Sequence, residues 1–323
     1  MNGVYVRAVS VSVALCASAT AAEHPTDTIR NKHLTMVLCR PDARAGYYRG
    51  SRFDWAGIIE RVEFDGHRVF GRFSDSPDPR HHDRVMGPAE EFGMDVPVGY
   101  DETAVGDWFV KIGVGHLRKR KGKRYRFSVP HEIAGPAPWD VAATPTRVSY
   151  SQELSDPRGW AYAYTKRVVL DAAAPGFAIE RELKNTGWRT LESVHYNHCF
   201  FIVDDDPIGP HYETEFLCDV KLGAGEKMTR AGAYLDGRTL KHRRPLKTMW
   251  SIIEGPSSPE HHGYTVRHAP SGIAMSVRGD RPLHQMRVWG NSRALCPEPF
   301  VKISVEPGDT FTWRTVFVFS KSD

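Results

Sequence analysis

Asp309-Thr310-Phe311-Thr312-Trp313-Arg314-Thr315-Val316-Phe317-Val318-Phe319-Ser320 is the stretch on which the fold turns. Phe311, Trp313, Phe317 and Phe319 fall on one face of an extended chain, and Thr312 and Arg314 fall on the other. A half-buried strand imposes this period of two, because successive side chains point to opposite sides of the pleat. The same alternation recurs outward from here. Tyr125, Phe127 and Val129 alternate with Arg124, Arg126 and Ser128, and Phe177, Ile179 and Leu183 alternate with Glu180 and Glu182. Turn chemistry separates such segments at Asp65-Gly66, Lys121-Gly122-Lys123, Asn185-Thr186-Gly187, Gly223-Ala224-Gly225 and Pro307-Gly308. Helical periodicity is confined to one turn at most, over residues 86–92, and no repeat of fixed length marks a propeller or solenoid. The pattern predicts an all-β chain of roughly fifteen or more antiparallel strands, too many for one small sandwich.

Of 323 residues, 41% are hydrophobic, 25% charged and 11% aromatic, which excludes disordered, collagen-like and coiled-coil architectures. The 22 prolines and 28 glycines are spread along the chain and gather into no linker, so residues 23–323 read as a single domain. A net charge of +4 gives no reason to expect a nucleic-acid partner. The basic run from His116 to Arg126 lies between alternating segments and reads as a solvated hairpin end, with contact to an acidic glycan as its functional alternative.

Residues 1–22 have the form of a secretory leader: Arg7, a short apolar run from Ala8 to Ala17, then Ala19-Thr20-Ala21 as an A-x-A cleavage site. This reading places the mature protein in the periplasm or outside the cell. No later segment reaches the roughly 20 apolar residues of a membrane span. Cys16 leaves with the leader, and Cys39, Cys199, Cys218 and Cys296 show neither CxxC nor zinc-type spacing, so they read as small buried hydrophobes, with disulfides in an oxidising compartment as the alternative. The loop pairs His81-His82 and His261-His262 and the run Asp204-Asp205-Asp206 raise weaker possibilities of a loop metal site, the last for Ca²⁺.

Four segments carry candidate chemistry. In His195-Tyr196-Asn197-His198, His195 and Asn197 share one face of a strand and Tyr196 and His198 the other, just before the apolar run Cys199 to Val203. These polar groups are either hydrogen-bonded core residues or site residues. In Leu295-Cys296-Pro297-Glu298-Pro299-Phe300, prolines and apolar neighbours enclose Glu298, an environment that raises a carboxyl pKa toward that of a general base. Gly46 to Gly57 is dense in rings and charge and contains Arg52 and Asp54, groups suited to a sugar's faces and hydroxyls. Gly87 to Gly93 adds Glu90 and Glu91. There is no GxGxxG, Walker A, HExxH or GxSxG segment to support redox, phosphoryl-transfer, zinc-protease or serine-hydrolase chemistry.

Asn197-His198-Cys199-Phe200-Phe201, preceded by Leu183-Lys184-Asn185-Thr186-Gly187, resembles the N-H-x-[YF]-F segment of the aldose 1-epimerases, or galactose mutarotases. Cys296-Pro297-Glu298-Pro299 resembles that family's late segment with its catalytic Glu, in the same order and at a similar separation. The resemblance covers residues 34–320 and implies a divergent member with a large antiparallel β-supersandwich fold. It implies His198 as acid and Glu298 as base, protonated and ionised respectively, on opposite sides of a sugar ring, with no cofactor and no metal. Arg52, Asp54, Glu91, His195 and Asn197 are then candidate substrate-binding residues, and Trp289 either lies beneath the sugar or packs in the core. The family's earlier N-H-G segment has no counterpart, and Arg52 and residues 87–93 occupy its region with different residues. A sugar or glycan is the expected partner. A lyase on the same fold, using Tyr196 or a histidine as base, and a non-catalytic sugar-binding protein are the alternatives.

Overall fold

The structure is a computed structural model that describes residues 24–322 apart from residues 73, 123 and 224. The expected leader over residues 1–22, with Cys16, lies outside the described residues. Strands dominate, and among the described residues the α-helix is the seven-residue segment Gly225–Ala231. Thr310–Lys321, the strand first recognised by its alternation, lies inside a ten-stranded antiparallel sheet between Gly176–Asn185 and Ile273–Gly279. Beyond Gly176–Asn185 follow Ala161–Leu170, Arg147–Ser155 and Asp140–Thr144. Beyond Ile273–Gly279 follow Gly263–His268, Tyr212–Phe216, Thr239–His242 and Ala233–Asp236.

A six-stranded sheet faces this layer, in the order Lys221–Leu222, Met249–Glu254, Gln285–Asn291, Ala294–Val305, Leu191–His198 and Ala89–Phe92. A four-stranded sheet of Thr26–Arg30, Leu34–Cys39, Ile58–Phe64 and His67–Val69 shares the same core. Phe177, Ile179, Phe317 and Phe319 meet Leu34, Met36, Ile59, Met286 and Val288 in one apolar cluster. Each such side chain gains about 1.5–3 kcal/mol by leaving water. A second cluster, with Phe92, Tyr164, Leu183, Leu191, Ile303 and Trp313, continues the interlayer toward the other end.

Two local expectations change. Tyr125, Phe127 and Val129 lie in a loop between Gly115–Arg118 and Ile133–Pro136, two strands of a three-stranded sheet. Their alternation does not become a strand: the buried Tyr125 ring stacks on His131, with centroids 5.3 Å apart, while Phe127 is only half-buried. Residues 86–92 contain the strand Ala89–Phe92 and no helical turn. The Asp65-Gly66 turn is as expected, a two-residue hairpin connection with both residues at positive φ (50° and 80°), the conformation that matches strand twist. Cys39, Cys199, Cys218 and Cys296 are all free thiols, and all but Cys218 are buried.

Candidate functional site

The six-stranded sheet has two chemically different faces, and strand register decides which residue reaches which. Tyr196 pairs with Glu91 on one side and Phe300 on the other, while Arg287 pairs with Glu298 and Trp250 with Trp289. By alternation, Glu91, Tyr196, His198, Glu298, Arg287, Trp289 and Trp250 all project from the outer face. The Phe300 carbonyl accepts from the His284 N–H at 2.8 Å, on the side of Gln285–Asn291, so by alternation the nitrogens of Pro297 and Pro299 are turned toward Leu191–His198. Proline has no N–H to give, and the ladder ends at Tyr196 and Phe300, just short of His198 and Glu298. Beyond it Phe200, at φ 48°, turns the chain so that its ring stacks on His198, with centroids 4.1 Å apart.

Above this outer face opens a cleft of about 700 Å³. Tyr196, His198, Glu298, Arg287, Trp289 and Trp250 form its floor, and Arg52, His82, Asp83, Met94, Asp95 and Phe127 its walls. The Arg52 guanidinium lies between the rings of Phe53 and Phe127, 4.3 and 4.1 Å from their centroids. It donates to Glu91 Oε2 at 2.9 Å, Asp83 Oδ1 at 2.6 Å and the Tyr196 hydroxyl at 3.1 Å. Glu91 is fully buried behind it, also receiving the Tyr196 hydroxyl at 2.8 Å and the Lys111 ammonium at 3.2 Å. Burial works against the Arg52 charge, but Tyr196, Glu91 and Asp83 outweigh it and hold its pKa well above the usual value.

His198 Nε2 lies 3.1 Å from Glu298 Oε1, and both residues are buried, at 6% and 4% exposure. Burial raises the Glu298 carboxyl to about 8, despite the opposing charges of Arg52 and Arg287. Burial, reinforced by Arg52, depresses the His198 imidazole well below its normal range, and Nδ1 of His198 is buried without a hydrogen bond. Burial thus works against both charges of the ion pair that the family resemblance implies. The site favours neutral carboxyl beside neutral imidazole, which has the same proton count as carboxylate beside imidazolium and differs only in where one proton sits. The two groups also touch, so they do not stand on opposite sides of a ring-sized gap.

The inner face of the same strands holds a different set. Glu90, adjacent to Glu91 in the chain, points between the sheets and accepts from Arg181 Nε at 2.7 Å and Asn197 Nδ2 at 2.6 Å, with Lys166 Nζ at 2.8 Å. Burial alone would raise its carboxyl, but Arg181 and Lys166 outweigh that and hold it well below the carboxylate range. His195 Nδ1 accepts from Trp313 Nε1 at 3.2 Å, and burial lowers the imidazole to about 4. Asp54 lies 3.6 Å from Lys166 and accepts from the Tyr164 hydroxyl at 3.2 Å, and burial raises it to about 6. Thus Arg52, His198, Glu298 and Trp289 line the cleft as expected, and Glu91 supports it from behind. Asp54, His195 and Asn197 do not: strand parity and a buried turn turn them into the interlayer.

The sequence reading missed His82, Asp83, Phe127, Trp250 and Arg287 as cleft residues and Lys166 and Arg181 as the cations of the inner cluster. The latter two had a signal. Lys166 continues the inward register of Tyr162, Tyr164, Val168 and Leu170, and Arg181 that of Phe177, Ile179 and Leu183. Among the described residues, two groups have metal-ligand geometry, His24 with Cys39 and Glu60, and Asp206 with His211 and His268, and neither is in the cleft. His82 pairs with Asp83 at 3.1 Å, and His262 meets the Arg281 carbonyl at 2.7 Å, so neither adjacent-histidine pair forms such a group.

No family model matches the sequence, and no curated protein matches it. Solved structures do resemble the fold. The aldose epimerase homologue from C. elegans superposes with a TM-score of 0.59 at 14% identity, over 93% of this chain and 100% of that one. A galactose mutarotase-like protein from Clostridium acetobutylicum gives 0.58 at 10% identity, over 93% and 96%. The galactose 1-epimerase from Lactobacillus acidophilus gives 0.52 at 13% identity, over 93% and 100%. The chain therefore has the galactose mutarotase-like β-sandwich fold, with a sequence far diverged from these structures.

Proposed function

We propose that the protein is a carbohydrate-active enzyme that interconverts sugar anomers by proton transfer, with His198 and Glu298 as its acid–base pair. The observation that carries this reading is the buried 3.1 Å contact between them on the floor of an open cleft. Ring opening requires a proton delivered to the ring oxygen and another taken from the anomeric hydroxyl, and these two oxygens are bonded to one carbon. A neighbouring acid and base suit that target. Glu298, protonated at neutral pH, gives its proton to the ring oxygen as the C1–O bond breaks, while neutral His198 takes the hydroxyl proton through Nε2 as the carbonyl forms. The roles are the reverse of those the family resemblance implies. Rotation about C1–C2 and the reverse transfers close the other anomer, and the chemistry requires no cofactor. Arg52, fixed by Glu91 and Asp83, is placed to bind hydroxyls, and Trp289 to support an apolar sugar face.

Polarimetry with a panel of free hexoses, pentoses and uronic acids tests the proposal. Glu298→Gln and His198→Asn each lower anomer exchange by about 10²–10⁴-fold with an unchanged circular dichroism spectrum. Wild-type rates in Glu298→Gln, or no acceleration of any sugar by the unaltered protein, overturn it. One observation favours a second reading. Two guanidinium groups, Arg52 and Arg287, line the cleft together with Tyr196, a set suited to a lyase acting on an acidic glycan. Release of an unsaturated, ultraviolet-absorbing product distinguishes that activity.

A further inference from the structure

The aspartate run at 204–206 divides its work. Asp204 pairs with His67 at 2.7 Å and Asp205 with Arg68, while Asp206 turns to two imidazoles. His268, the last residue of its strand and 4% exposed, places Nε2 2.9 Å from Asp206 Oδ2. His211 brings its Nε2 to 3.1 Å from the same oxygen. Yet that nitrogen is buried and makes no hydrogen bond, so proximity to Asp206 does not satisfy it. The three ligand atoms lie within 4.8 Å of one another. We propose that Asp206, His211 and His268 form a binding site for a divalent transition-metal ion of the zinc class.

Two imidazoles and one carboxylate suit zinc and its neighbours, whereas Ca²⁺ takes oxygen ligands, so the ion differs from the Ca²⁺ weighed for the aspartate run. A metal would satisfy the orphaned His211 nitrogen. The second shell is also in place. His268 Nδ1 meets the Ser271 hydroxyl at 2.8 Å, and a hydroxyl donates or accepts as needed, so it supports His268 both with a proton on Nε2 and with a metal there. The Asp206 carbonyl accepts from the buried Tyr212 hydroxyl at 2.9 Å, which fixes the loop. Asp206 and His211 are half-exposed, leaving a route for the ion and a fourth position for water. None of these residues belongs to the cleft, so the site stands apart from the proposed acid–base chemistry.

Titration of the metal-free full chain with Co²⁺, read by visible absorption, and with Zn²⁺, read by calorimetry, tests the site. One equivalent binds, and Co²⁺ gives the intense bands of a four-coordinate centre. Ser271→Ala weakens binding by about 10–100-fold, as loss of a supporting partner does. His268 is buried and its replacement carries a folding cost, so half-exposed His211→Gln is the deciding variant. It lowers affinity by more than about 100-fold, beyond the loss expected from a supporting residue alone. His24→Ala, in the other candidate group, leaves the titration unchanged. Absence of stoichiometric binding, or wild-type affinity in His211→Gln, overturns the assignment.

Discussion

Glu90 and Glu91 are consecutive residues of one strand, yet they serve the opposite faces of one sheet. On the inner face, Glu90 meets Arg181, Lys166 and Asn197, and its charge is matched where it is buried. On the outer face, Glu91 meets Arg52 and Lys111, while among the described residues its neighbour Glu298 has just the neutral-leaning His198 at ion-pair distance. The difference is one of compensation. Buried charges with full partners hold their ionised forms and brace the packing, whereas a buried carboxyl beside an imidazole is held near its switching point and is free to exchange a proton. Burial alone therefore does not mark a reactive group. Burial with too few partners, on a face that opens to a cleft, does.

Breaking the matched face has the largest expected effect on stability. Arg181→Met leaves Glu90 charged and without its main partner, at a cost of about 3–5 kcal/mol. Urea denaturation measures it, and turnover per folded molecule stays at the wild-type level. A loss below about 1 kcal/mol in Arg181→Met would show that the inner cluster is not the brace described here.

The under-compensated face responds differently, through pH. The Glu298 pKa is raised from 4.5 to about 8 in the fold, so the unfolded chain loses this proton first as pH rises. Stability attached to Glu298 is thus complete below 4.5, falls as pH climbs, and is gone above about 8. Glu298→Gln does not titrate, and it is more stable than wild type by a few kcal/mol at alkaline pH and equal to it in acid. His198 has the opposite sign: its depressed pKa makes the folded state resist charging, so stability falls as pH drops below 6.5, and His198→Asn relieves that loss. Thermal melts across pH read both. Parallel wild-type and Glu298→Gln curves would remove the distinction between the two faces.

What the sequence disclosed follows from the range of the interactions involved. Alternation is local, so Phe311, Trp313, Phe317 and Phe319 announced their strand, and strand parity alone separated His198 from His195 and Asn197. Pro297 and Pro299 drew attention to Glu298 because they enclose it in apolar sequence, and they also end the ladder beside it. The protonation of the pair was not legible. It depends on Phe53 and Trp289, which arrive from distant segments and join the nearby Phe200 in excluding water from His198. The inner cluster was hidden for the same reason, since Lys166 and Arg181 interrupt apolar faces without naming Glu90 as their partner. Tyr125 and Phe127 gave the converse error, an alternation that loop packing accounts for without a ladder.

The smallest effect concerns two tryptophans, one packed against the inner face and one on the outer face. Trp313 is buried, donates to His195 and stacks beside Tyr164, so its replacement by leucine costs stability and leaves the cleft as it was. Trp289 is half-buried on the cleft floor, 5.5 Å from the His198 ring between centroids, in register with the exposed Trp250. If it supports the sugar, Trp289→Leu removes about 0.5–1.5 kcal/mol of ring contact, roughly a two- to tenfold rise in KM. Support given equally to substrate and transition state leaves kcat unchanged. A packing role predicts something else: a lower melting temperature with KM intact. Measuring both quantities in both variants therefore separates a tryptophan that holds the molecule together from one that holds its ligand, and a Trp289→Leu protein that is merely less stable would move Trp289 to the side of Trp313.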